Sequence, residues 1–265
     1  METELINKIN ISVSGWPGSG GSTLASLLAC TLDREYLYIG NLYRYLGSSL
    51  GFSDKGINRP QFDDYIEDIV GKTIDQYTDF KLLHDDNLIL DSDITAFRVG
   101  KHPKVFSIFL NTPFEERKER LQDNKLEMDF LDERDNVLQT KYKQLWGIDF
   151  FDNELIDLKH NLVLNNSNMG LNLEMKYVFE ALRNWGPFSD LTTDDLGTIL
   201  TKSEEFIKKF EEHGKEFLLN HLTAKNLFRK PEDILLEITS IFPEEISSYP
   251  PHIKKLFLPL HKNEK

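Results

Sequence analysis

Two regimes of apolar and polar patterning divide the 265-residue chain. Over residues 8–185, short apolar runs alternate with longer stretches whose apolar positions recur at helical spacing. The runs Ile9–Val13, Tyr36–Ile39, Asn87–Ser92, Lys104–Leu110 and Asn161–Asn165 read as strands. Helices are predicted over Ser22–Leu32, Asn41–Leu50, Gln61–Leu83, Pro113–Gln122 and Leu171–Trp185. Asn41 and Thr112 are the expected caps of the second and fourth, and Gly71 interrupts the third. Gly51–Pro60 is turn-rich, and the charged stretch Asp123–Lys143 reads as a helical hairpin or flap. Alternation of this kind predicts an α/β fold, a mostly parallel five-stranded sheet with helices on both faces. Ligands bind beyond the carboxyl ends of such strands, so Gly15, Gly40, Asp91, Asn111 and Asn165 should converge.

After Gly186-Pro-Phe the pattern changes. Helical segments are predicted at Leu191–Leu200, Lys202–Leu222, Pro231–Ile241 and roughly His252–Leu260, with no strand. Ile207, Phe210, Phe217, Leu218 and Leu222 mark one apolar face. The expected organisation is a sheet domain over 1–187 and an all-helical C-terminal extension over 188–265. The extension reads first as a cover for the sheet; docking of a protein partner is the alternative.

Composition narrows the classes. The chain is 40% hydrophobic and 28% charged, enough to build a core without disulfides. Cys30 is the only cysteine, so no intrachain disulfide or thiolate zinc cluster is available, and its apolar surroundings mark it as a small buried hydrophobe. The net charge of −13 excludes non-specific binding to nucleic acid or to an anionic membrane, and neither regime is basic. With no apolar run approaching ~18 residues and an acidic start, a cytoplasmic protein is expected. His84, His102 and His160 lack metal spacing and read as solvated; Asp63-Asp64 and Asp85-Asp86 read as surface pairs.

The chemistry concentrates where the first strand meets the first helix. Gly15, Gly20 and Ser22 fit the spacing G-x-x-x-x-G-K-[ST] of a phosphate-binding loop, but Gly21 stands in place of the lysine. Consecutive glycines turn backbone N–H groups into one concavity, and the helix that follows adds its positive dipole end. Gly15, Gly18, Ser19, Gly20, Gly21, Ser22 and Thr23 are therefore the candidate phosphate-binding residues, with Ser22 placed to hold magnesium. Asp91, a carboxylate ending a buried strand, is a second candidate ligand.

The stretch Gly15-Trp-Pro-Gly-Ser-Gly-Gly-Ser-Thr23 resembles the loop of archaeal-type cytidylate kinases, which carries threonine where other kinases carry lysine. Further segments resemble that family in order: Tyr38-Ile-Gly-Asn-Leu-Tyr-Arg44, Asn87-Leu-Ile-Leu-Asp-Ser-Asp93, Glu133-Arg134 with Lys141-Tyr-Lys-Gln-Leu-Trp-Gly-Ile-Asp149, and Asn161-Leu-Val-Leu-Asn-Asn-Ser167. The resemblance spans about residues 8–185 and implies a P-loop nucleoside monophosphate kinase fold. It implies phosphoryl transfer from ATP, with Mg2+, to CMP or dCMP. In that scheme Arg44 grips the acceptor phosphate, Arg134 closes a lid over the phosphates, and Asp91 holds magnesium through water.

Departures from the pattern are equally specific. Where the family has a second phosphate-binding arginine this chain has Asp93, a reversal of charge. Asp123-Asn124, Gln139 and Lys141 replace basic lid residues, and Asn161 replaces a strand aspartate. Arg98 and Lys101 are the nearby cations that could compensate for Asp93. Each lost phosphoryl contact is worth ~10³ in rate, so turnover requires compensation from elsewhere in the chain. Two rivals follow: a weak or inactive nucleotide-binding or docking module on a kinase scaffold, and a P-loop kinase for another small acceptor.

Overall fold

The protein is described by a computed structural model covering residues 9–51, 67–122, 128–189 and 191–257. Its centre is β1 (Asn10–Gly15), buried at all six positions. Ile11 and Val13 alternate with Asn10, Ser12 and Ser14, a pattern that in isolation suggests one wet face. The polar members are buried and mostly satisfied. Asn10 donates to the carbonyls of Leu82 and Asp85 and accepts from the Leu88 amide, and Ser14 donates to the Ser92 carbonyl. Buried polar groups are retained where such partners exist, and here they lock the neighbouring segments to the strand.

After α1 (Gly21–Leu32) come β2 (Glu35–Tyr38), α2 (Ile39–Ser49), a π-helical turn (Glu67–Gly71), α3 (Lys72–His84), β3 (Leu88–Asp91) and α4 (Thr95–Val99). β4 (Val105–Leu110), α5 (Phe114–Arg120), α6 (Leu131–Trp146), α7 (Asn153–Lys159), β5 (Leu162–Leu164) and α8 (Leu171–Asn184) complete the α/β part. All strand pairings are parallel, in the order β2-β3-β1-β4-β5. Val13 lies beside Asp91 and Gly15 beside Leu110, so the carboxyl ends of three strands finish at one level. This is the doubly wound, P-loop kinase-like arrangement expected from the alternation of elements.

The described C-terminal region is built of five helices joined by short segments, one of them extended: α9 (Thr193–His213), α10 (Lys215–Ala224), α11 (Pro231–Ile241), α12 (Pro243–Ser248) and α13 (Pro251–Phe257). α9 starts with a reciprocal capping box between Thr192 and Asp195 and runs past the break expected near residue 201. Its stop is Gly214, at φ 72°. Such a positive φ suits glycine far better than other residues.

Two apolar clusters hold these helices against the sheet. One joins β1 and α1 to α8, α9 and α10 through residues such as Leu28, Phe179, Ile207, Leu218 and Leu222. The other joins α2 and α3 to α11, α12 and α13 through Leu42, Ile74, Ile234, Ile246 and Phe257. A third lies under α6, around Phe97, Phe109, Tyr142 and Phe150. Residues 227–229 also run beside β2: the Tyr36 amide donates to the Leu227 carbonyl at 2.7 Å and the Arg229 amide to the Tyr36 carbonyl at 3.1 Å. None of the described helices is long and apolar enough to cross a membrane.

Several local expectations need correction. α2 begins two residues before Asn41, which therefore caps nothing. Thr112 does not cap α5; its hydroxyl bridges to Asn166 Oδ1 at 2.6 Å, a tertiary bond chosen over a local one. Within the described part of the charged stretch, residues 128–129 are helical, Phe130 is a turn, and α6 carries the rest. The short helices α4, α7 and α12 carry too few turns to show a period in the sequence. Residues 52–66 and 123–127, with Asp63-Asp64 and Asp123-Asn124, lie outside the described residues, as does the end of the last expected helix.

Candidate functional site

The loop between β1 and α1 turns through two left-handed glycines, Gly18 at φ 81° and Gly20 at φ 96°. Gly15 is required for a different reason: a Cβ there would collide with Ser19 Oγ and press on Leu110. Gly21 is under neither constraint. A Cβ added to it meets nothing nearer than 3.9 Å, so crowding at the Cβ does not account for the missing lysine.

The loop is braced from behind. Arg117, almost wholly buried on α5, donates to the Pro17 carbonyl at 2.9 Å and makes a two-pronged pair with Asp135 of α6 at 3.0 and 2.6 Å. Arg120 Nη1 donates to the Ser19 carbonyl at 2.8 Å and Asn166 Nδ2 to the same oxygen at 3.0 Å. Asn166 is in turn backed by the buried Glu174, whose carboxyl burial pushes up to about 7.

In front of the loop opens a cavity of about 410 Å³. All ten sequence candidates line it: Gly15, Gly18, Ser19, Gly20, Gly21, Ser22 and Thr23 from the loop, Arg44 from α2, Asp91 from the end of β3, and Arg134 from α6. Gly40 joins them, whereas Asn111 and Asn165 do not; Asn111 bonds Asn153 and Asn165 accepts from the Ser167 amide. The cavity also holds Asp93, Asp75, Tyr38 and Lys215, the last from α10.

Ser22, Asp91, Tyr36 and Tyr38 form one network. Asp91 accepts from the Tyr36 hydroxyl at 2.9 Å and from the Ser22 side chain. Burial raises its carboxyl above the ordinary range, against the pull of Lys215, Ser22, Tyr36 and Arg44. Burial likewise pushes the Tyr38 phenol up, but Lys215 and Arg44 more than offset it and leave it below its usual value. Arg44 donates to the Tyr38 hydroxyl, and Lys215 Nζ stands 4.3 Å from the Tyr38 ring centroid.

Asp75 is the other ionisable group that sequence reasoning missed. It accepts from Trp146 Nε1 at 2.7 Å and faces Arg98 at 3.4 Å, yet burial holds its carboxyl up at about 7. Arg98 does not supply the charge reversed at Asp93. It is tied to Asp75 and Asp79 under the Trp146 ring at 3.7 Å, and neither it nor the exposed Lys101 lines the cavity. Gln139 holds Asp149 and the Phe150 amide, and Asn161 holds Ser107, so both departures do structural work. His160 overturns the expectation of a solvated side chain. It is packed on Phe97 and Phe109, and burial lowers it to about 4. Cys30 is buried as expected, its thiol raised to about 12 by burial. Among the described residues no group of three or more His, Cys, Asp or Glu could hold a metal ion. Ser22 and Asp91 nonetheless offer hard oxygen donors in contact, the donor type magnesium takes when substrate phosphates complete its shell.

These features define a P-loop kinase-like fold with a phosphate-type loop and a mixed-charge cavity at the carboxyl end of its sheet. No family model matches the chain. It is similar to cytidylate kinases of archaea: 26% identical over 185 residues to that of Natronomonas pharaonis, covering 68% of this chain and 92% of that one. The cytidylate kinase of Saccharolobus islandicus is 25% identical over 195 residues, covering 70% of this chain and 98% of its own. About three-tenths of this chain therefore has no counterpart in those matches. Among solved structures, shikimate kinase from Acinetobacter baumannii in complex with shikimate aligns with a TM-score of 0.44 at 18% identity, over 69% of this chain and 98% of that one.

Proposed function

We propose that the protein is a nucleoside monophosphate kinase that transfers a phosphoryl group from ATP to CMP or dCMP. The observation that carries this reading is the single cavity in which the glycine-rich loop, the Ser22–Asp91 pair, Arg44 and Arg134 meet. The similarity to cytidylate kinases supports the acceptor class.

An oxygen of the acceptor monophosphate would attack the γ-phosphorus of ATP as the bond from that phosphorus to the β-bridging oxygen breaks. ADP leaves and a nucleoside diphosphate forms. Protein groups do little covalent work in such transfers; they position the two anions and neutralise spreading charge. The Thr23 amide already donates to the Gly20 carbonyl, and the first-turn amides of Gly21 and Ser22 would serve the donor phosphates. Arg44, exposed at the cavity wall with its guanidinium oriented by Tyr38, is placed to grip the acceptor phosphate in the two-pronged manner arginine favours. Arg134, on α6, lines the same cavity and would close on the phosphates. Ser22 and Asp91 would hold magnesium, which when bound offsets charge on the phosphates.

A second reading, a nucleotide-binding module without turnover, is favoured by Asp93, an anion on the cavity wall where the resembled family has a cation. One pair of measurements separates them: ADP release with CMP, dCMP, UMP, AMP and small alcohols, and thermal stabilisation by ATP. Release with CMP or dCMP well above the other acceptors is expected. Stabilisation by ATP with silence on every acceptor establishes the module instead, and release with only a small alcohol moves the protein to another acceptor class.

A further inference from the structure

Lys215 is the first residue of α10, directly after Gly214. A cation in the first turn opposes the positive end of the helix dipole, so the helix gains nothing from a lysine there. No ion pair holds the side chain either: among the described residues its ammonium pairs with no carboxylate. Instead the half-buried stem brings Nζ over the Tyr38 ring and onto the cavity wall. Residues that break a local rule with no local gain are expected at functional sites.

Its neighbours say which function. Tyr38, whose ring lies 4.3 Å from the Lys215 ammonium, and Asp91, which lines the same cavity, are the two residues to which the Ser22 side chain is hydrogen-bonded. Lys215 thus shares Tyr38 as a neighbour, and one cavity, with the loop serine, the residue that in lysine-bearing loops directly follows the lysine. The charge balance points the same way. Asp75, Asp91 and Asp93 line the cavity against Arg44, Arg134 and Lys215. Without Lys215 the carboxylates outnumber the cations in a protein already at −13, a poor receptor for a polyanion.

We propose that Lys215 supplies, from the C-terminal helices, the phosphate-binding ammonium that the loop lacks at Gly21, so that the polyphosphate of a nucleoside triphosphate is held between the loop amides and this residue. The proposal rests on reading the cavity as a phosphate site, and it gives the C-terminal region a part in that site. Lysine suits the task as a compact point charge on a long stem. A lysine restored to the loop is then a direct complement, since a Cβ at Gly21 meets nothing nearer than 3.9 Å.

The test uses the full chain and tripolyphosphate, followed by calorimetric titration, beside ligand-free melting. Lys215→Met keeps the stem and removes the charge; Lys215→Arg keeps the charge. Loss of one charge-assisted contact predicts tripolyphosphate binding roughly 10- to 100-fold weaker in Lys215→Met. Melting should not change, Lys215→Arg should recover most of the loss, and so should Lys215→Met with Gly21→Lys. Equal binding by wild type and Lys215→Met, or no binding by wild type, overturns the proposal. Tripolyphosphate binding that depends on Lys215, in a protein that releases no ADP with any acceptor, leaves the proposal standing and removes the kinase reading.

Discussion

Behind the glycine-rich loop, Arg117 and Arg120 point their guanidinium groups at protein oxygens, the carbonyls of Pro17 and Ser19 among them. In front of it, Arg44, Arg134 and Lys215 come from α2, α6 and α10 to a cavity that also carries three carboxylates. The rear cations lie on one short helix and act on stability. Those in front are delivered by three separate elements and face the ligand space. A basic residue near a phosphate loop is therefore not a phosphate ligand by proximity alone. Which side of the loop it reaches decides.

The largest effect expected from this contrast is at the rear. Arg117→Ala leaves Asp135 buried without its partner and the Pro17 carbonyl without a donor, and should cost about 3–5 kcal/mol in denaturant unfolding. The double variant Arg117→Leu with Asp135→Leu should regain most of that stability, since no lone charge remains. An equally unstable double variant would mean that the rear arginine works through the loop carbonyl instead. At the front, Arg44→Met should lower kcat/KM for the acceptor by 10²–10³-fold, about 2.7–4 kcal/mol, with melting unchanged because the side chain is exposed. A drop in melting temperature as large as that of Arg117→Ala would erase the distinction between the two sides.

The smallest effect is a dependence on pH. Glu174 backs Asn166 and thereby the Ser19 carbonyl, and burial raises it from 4.5 to about 7. The folded protein then holds a proton that the unfolded chain has released. The stability this group contributes is complete below about pH 4.5 and is lost as pH rises through 7. Glu174→Gln removes the titration, so its stability relative to wild type should rise from pH 5 to pH 8 in thermal unfolding. A difference that stays flat across that range would show Glu174 to be ionised throughout in the fold.

The strands and the loop were legible because their signals are local: apolar runs of strand length, glycines at fixed spacing, a serine opening a helix. Asp91 was legible because it ends a buried strand, and Arg44 because it lies shortly past one. Lys215 was not. A single lysine at a helix start alters no periodicity, and Tyr38, over which it sits, is far away in the chain. Thr112 shows the same limit in reverse. Its hydroxyl suits a helix cap and a tertiary bridge equally well, and only the position of Asn166 decides between them. In α9 the apolar positions Leu196, Phe206 and Ile207 stay buried through the expected break, and Gly214 proves a stronger stop than Thr201-Lys202.

The segment 227–229 carries a consequence of another kind. Every open sheet ends in two strands with unpaired backbone groups, and such edges recruit strands from other molecules. At one end of this sheet β5 is only three residues long, too short to template much. At the other, β2 is hydrogen-bonded along its outer side by Leu227 and Arg229, with the Arg229 guanidinium clamped on Glu35. The C-terminal helices thus end the growth of the sheet at the strand they cover, and a chain cut ahead of Leu227 would present β2 as a seed for self-association.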